Sequence, residues 1–114
     1  MKRYEKVVIW GSIIILSIVV LQVLAGKGNP KTEKRIAYHY SQEFVKRKLI
    51  SPASAEFPNF DNIVVAKYEN IEKYFVKGYV DADNAFGAKI RKKYKCWLEK
   101  ESSGNWRLIN IEFY

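Results

Sequence analysis

The 114 residues contain only one cysteine and one histidine, Cys96 and His39. With a single cysteine no intrachain disulfide can form, and one Cys with one His falls short of any usual zinc set. No Gly-rich phosphate loop occurs. A Cys96–His39 dyad would require an accessible thiol. Cys96 instead alternates with Tyr94 and Leu98 on one side of a strand pattern, where an inert core thiol is expected. His39 lies between Tyr38 and Tyr40 in a helical stretch, and Glu99 and Glu101 share a strand face near its end. The composition therefore points away from an enzyme and implies neither cofactor nor metal.

The N-terminus is different in kind. Met1 to Lys6 (MKRYEK) is short and basic, and Val7 to Gly26 then runs twenty residues without a charge, with Gln22 as the only strongly polar side chain. A helix needs about twenty residues to cross the ~30 Å hydrocarbon layer, and a continuous helix satisfies its own backbone polar groups there. Val, Ile and Leu dominate on every side, so the run is expected to span the membrane. A cleavable signal peptide has a shorter apolar region, ~7–15 residues; Val23-Leu24-Ala25 is a passable cleavage tripeptide, but the length favours an uncleaved anchor. No lipidation cysteine follows. Lys2, Arg3 and Lys6 precede the run, and Lys27, Lys31, Lys34 and Arg35 follow it. Both flanks are basic; a six-residue tail is easily retained inside, which places the C-terminal domain outside the cytoplasmic membrane. The expected layout is a tail at 1–6, an anchor at 7–26, a linker at 27–32 and an extracytoplasmic domain at 33–114.

The chain carries a net charge of +8. Setting aside Lys2, Arg3, Lys6 and Glu5 leaves +6, an excess that either serves solubility or favours anionic partners. Aromatic rings are frequent after residue 37 and supply large buried area to a small core. Gly26 to Pro30 breaks the apolar run. Thr32 is placed to cap a helix over Glu33 to Leu49, in which Ile36, Tyr40, Phe44, Val45 and Leu49 recur at helical spacing. Ser51-Pro52 stops it. The loop to Phe60 offers Phe57 and Phe60 as core anchors, and the period then changes to alternation. Strands are expected near Ile63–Glu69, Lys73–Ala82, Ala88–Glu101 and Trp106–Phe113. Short connections at Asn70–Glu72, Asp83–Gly87 and Ser102–Asn105 make this an antiparallel meander. The expected fold is α+β, one helix packed on a four-stranded antiparallel sheet, with Ile109, Ile111 and Phe113 on one face of the last strand.

Two surface features stand out. Lys89, Arg91, Lys93 and Lys95 share a strand face, with Lys77 on the neighbouring strand, and could hold an anionic polymer or lipid head groups; the alternative is a solvated face that blocks edge pairing. The loop Asp81 to Gly87 (DADNAFG) offers Asp83, Asn84 and Phe86 as a recognition loop. Ala85, Phe86 and Lys92 at its fifth, sixth and twelfth positions exclude an EF-hand. A hairpin turn with Asn84 or Gly87 at positive φ and Phe86 packed on the sheet is the favoured reading.

The run Val45–Leu49 followed by Ser51-Pro52-Ala53-Ser54-Ala55-Glu56-Phe57-Pro58, and the later Gly78–Arg91 segment (GYVDADNAFGAKIR) with Tyr94 and Cys96 behind it, resemble two ordered motifs of one family. Its members are small, poorly characterised bacterial and phage-encoded domains, often carried behind a membrane anchor or a lipoprotein signal. The resemblance covers Lys34 to about Ile111 and implies a domain type, not a chemistry. The expected role is a non-catalytic binding domain displayed by a single-pass anchor, with an envelope protein or anionic polymer as partner. Nucleic acid is disfavoured, because no readout motif is present. A phage-derived factor for superinfection exclusion is the alternative.

Overall fold

The computed structural model describes residues 29–114; the expected tail and anchor at 1–26 lie outside the described residues. Helix α1 (Pro30–Lys46) begins three residues ahead of the expected start. Proline is well suited to the first helical position, where its fixed φ is pre-set and its missing N–H is no loss. Thr32 therefore lies within the first turn and not at the cap, and residues 30–32 of the expected linker are helical. Arg47 and Lys48 fall in the turn after the helix, where the Lys48 and Leu49 N–H groups donate to the Val45 and Lys46 carbonyls.

The sheet is a meander in the order β1 (Val64–Lys67), β2 (Lys73–Asp83), β3 (Lys89–Lys100), β4 (Trp106–Phe113), with every pairing antiparallel. The fold is thus one helix on a four-stranded antiparallel sheet, an α+β architecture. Asn70, Gly87 and Gly104 take positive φ in its three turns, which Gly and Asn tolerate.

One face of the sheet and one face of α1 form the core. Tyr74, Val76, Val80, Ala82, Tyr94, Cys96 and Leu98 alternate inward from β2 and β3. They meet Ala37, Tyr38, Ser41 and Val45 of α1. The helix is rotated from the expected stripe: Tyr40 lies at the flank, stacked on Trp106 with centroids 5.6 Å apart. Small residues bring the helix close to the sheet, and the buried Ser41 hydroxyl is satisfied within the helix by donating to the Tyr38 carbonyl at 2.7 Å. The Tyr38 hydroxyl donates to the Pro58 carbonyl at 2.5 Å and ties the 51–60 loop to α1. Phe57 and Phe60 pack on the core from that loop.

In β4 the alternation breaks. Leu98 pairs with Leu108 but Trp97 with Asn110, so Ile109 is the extra residue of a β-bulge. Its side chain stays exposed, while Trp106, Leu108 and Ile111 pack inward. Ile109 therefore does not share a face with Ile111 and Phe113, because one inserted residue resets a period of two.

The two motifs that carry the family resemblance meet in space. Glu56 and Asp81 exchange backbone hydrogen bonds at 2.8 and 3.0 Å, and the Asp83 N–H donates to Ser54 Oγ at 2.8 Å. The Ser51–Pro58 segment is a strap across the far end of β2.

Candidate functional site

The outer sheet face, opposite α1, carries no element of the described residues. Along β2 it presents Lys73, Phe75, Lys77, Tyr79, Asp81 and Asp83, and opposite them along β3 Glu99, Trp97, Lys95, Lys93, Arg91 and Lys89. The four expected cations do share this face, but they do not act as one stripe. Lys89 Nζ lies 2.6 Å from Glu56 Oε1. Arg91 forms a two-pronged pair with Asp81 at 2.8 and 3.0 Å and lies 4.0 Å over the Tyr79 ring. Hydrogen bonds from Arg91 hold the Asp81 carboxyl below the usual carboxylate range. Half of the stripe is therefore neutralised where it stands.

The other half is not. Lys77 stands directly opposite Lys95, with Val64 on its other side. Lys93 stands opposite Tyr79. Among the described residues neither Lys77 nor Lys93 has a carboxylate within 4.0 Å. Lys95 faces Glu112 across β4 without closing an ion pair, and its ammonium lies 5.2 Å from the Tyr114 ring centroid. Like charges directly opposite on adjacent strands cost a few tenths to ~1 kcal/mol. Between them is a shallow depression of about 420 Å³ lined by Asn62, Val64, Lys77, Tyr79, Lys93 and Tyr114, among others. Two ammonium groups, two phenols and an amide converging on one concavity can hold phosphate or carboxylate oxygens.

No family model, curated protein or solved structure matches this chain. The site therefore stands on its own geometry.

The Asp83–Gly87 turn is preorganised but is not a cluster of free oxygens. Asn84 Oδ1 accepts from the Phe86 and Ala88 N–H groups at 2.9 and 3.0 Å, which commits its oxygen to the turn. Gly87 takes the positive φ, as expected. Phe86 does not pack on the sheet: it is 95 % exposed at the tip. A tight turn held by Asn84 points its ring beyond the last strand pair.

Cys96 is fully buried and its thiol is pushed up to about 12 by burial. His39 is exposed, edge-on to Tyr40. Dyad chemistry between an inward thiol and an outward imidazole is excluded by that placement. Among the described residues no helix is long and apolar enough to cross a membrane.

Sequence reasoning named Lys77, Lys93 and Lys95 but missed Tyr79, Tyr114 and Asn62. The hairpin register contained part of the signal. Counting outward from the Asp83–Lys89 pair sets Asp81 against Arg91, Tyr79 against Lys93 and Lys77 against Lys95. Glu56, thirty-three residues from Lys89, gives no such sign.

Proposed function

We propose that this chain is a non-catalytic binding domain held to the cytoplasmic membrane by residues 7–26 and displayed on its outer side. Its working surface is the open sheet face around Lys77 and Lys93, and its partner is an anionic component of the envelope, a polymer or an acidic protein surface. The observation that carries the reading is the like-charge pair Lys77/Lys95 beside Lys93, which has no carboxylate partner among the described residues. A sheet selected for stability alone would set a carboxylate or a threonine opposite one of them. The same strand pair does so four residues later, with Asp81 against Arg91.

The test uses the full chain in neutral detergent micelles, titrated with soluble long-chain polyphosphate as a generic anionic polymer. Binding is expected, weakening steeply with salt; three lysine–phosphate contacts give a slope of log K against log salt of roughly −2. Absence of binding at low salt contradicts the reading. Retention of the chain in vesicles through an alkaline carbonate wash tests the anchor separately.

A further inference from the structure

The turns at Asn70–Glu72 and Ser102–Asn105 lie side by side at one end of the sheet, where the Lys100 N–H donates to the Glu72 carbonyl at 2.8 Å. Helix α1 starts at this same end, since Lys100 Nζ reaches the Glu33 carboxylate at 3.2 Å. Here Tyr68 and Ile71 are each 46 % exposed and Ile109 41 %. With Trp97 they line an open cavity of about 240 Å³, and the Trp97 ring is braced by Phe75 at 5.3 Å. Scattered exposed apolar residues are ordinary, but a contiguous group marks a contact surface. Tyr and Trp rings beside isoleucines are the side chains that settle where acyl chains meet water.

We propose that this end of the sheet is a foot resting in the interfacial layer of the lipid bilayer, with Tyr68, Ile71, Trp97 and Ile109 as its contact residues. The inference rests on the anchor reading above and goes beyond the anion-binding face. Covalent reach selects the occupant. If the apolar run ends at Gly26, four peptide steps lead to Pro30, no more than ~14 Å when fully extended. The eleven residues of β2 set the Asp83–Gly87 turn ~35 Å along the sheet from this end. The end where α1 starts is therefore the part of the domain that such a tether keeps within reach of the membrane. The contact is apolar in character. Glu33 is taken by Lys100, Arg107 pairs with Glu99, and Lys67 lies 3.9 Å from Glu72. Lys73 also lines the cavity, and Glu69 and Glu101 are the remaining exposed acids of this end, so the charges left over have both signs and the contact does not depend on anionic lipid.

The test is depth-dependent quenching on the full chain reconstituted in vesicles of zwitterionic phosphatidylcholine doped with head-group spin-labelled lipid. Buried Cys96 can stay in place, because a thiol-reactive dye reaches only a newly introduced exposed cysteine. Ile71→Cys and Ser103→Cys report the foot, and Phe86→Cys reports the far turn. Strong quenching at 71 and 103 with none at 86 is expected, and Ile109→Lys should reduce the quenching at 103. Chains retained through carbonate but unquenched at 71 and 103 overturn this inference alone. Quenching that appears only with anionic lipid also overturns it. Release by carbonate overturns the anchor reading and this inference with it.

Discussion

Replacing Tyr94 by Phe removes one oxygen from the centre of the domain and should make the protein more stable. Tyr94 is fully buried, and its hydroxyl has no hydrogen-bond partner among the described residues. Burial raises its pKa well above that of a free phenol, with Ser41 giving only a smaller opposing effect. The Ser41 hydroxyl donates instead to the Tyr38 carbonyl. The bare Cα of Gly78 leaves room for the phenol, since a Cβ there would stand 3.3 Å from the Tyr94 oxygen and 3.1 Å from Ile63 Cγ2. An unpaired buried hydroxyl costs ~1–3 kcal/mol. The hole left by one oxygen costs a few tenths of a kcal/mol at ~24 cal/mol per Å³. Tyr94→Phe should therefore stabilise by about 1 kcal/mol or more, a rise in Tm of roughly 4–8 °C for a domain of this size. Tyr38→Phe deletes the same atom with the opposite sign: it breaks the bond to the Pro58 carbonyl and should cost about 1 kcal/mol. Thermal melts by near-UV circular dichroism on the full chain in detergent, with urea midpoints at unchanged slope, decide the matter. A Tm that falls on Tyr94→Phe refutes the reasoning, because the hydroxyl would then have a partner.

Three further outcomes follow from the same structure. Cys96 and Tyr74 are each pushed up to about 12, chiefly by burial, and Tyr94 is raised as well. Raised folded-state values mean stability that is intact below the unfolded pKa values of 9 to 10 and lost as pH climbs toward 12; phenolate absorbance and circular dichroism should show cooperative alkaline unfolding in that window. The Cys96 thiol should resist a thiol reagent at pH 8 in the folded chain and react fully in urea, and fast reaction without denaturant would contradict its placement. Asn84→Ala removes the acceptor for two turn N–H groups and should cost about 1–2 kcal/mol, read as a lowered urea midpoint.

Much of the fold was legible because helical and alternating periods are local. The three turns carry Gly or Asn where positive φ is needed, so the meander could be drawn from spacing alone. What escaped were features set by distant partners or single insertions. Ile109 alternates in sequence with Ile111, yet the bulge opposite Trp97 turns it out of the core. Phe86 looks like a core ring until Asn84 closes the turn beneath it. Lys89 looks free until the Ser51–Pro58 strap brings Glu56 beside it. The four cations thus lie on one face but divide into a paired half and an open half. Arg91 is the exception that counting could have found, because its partner Asp81 follows from hairpin register.

The account divides the four β3 cations into two that are spent, Lys89 and Arg91, and two that work together with Lys77 of β2, and polyphosphate binding by two equally charged variants tests that division. Lys77→Gln/Lys93→Gln and Lys89→Gln/Arg91→Gln each lower the net charge by two. At ~1 kcal/mol per engaged cation, the first pair should weaken binding by roughly 30-fold and the second by little. Equal losses from both pairs would show that only total charge matters and would contradict the site.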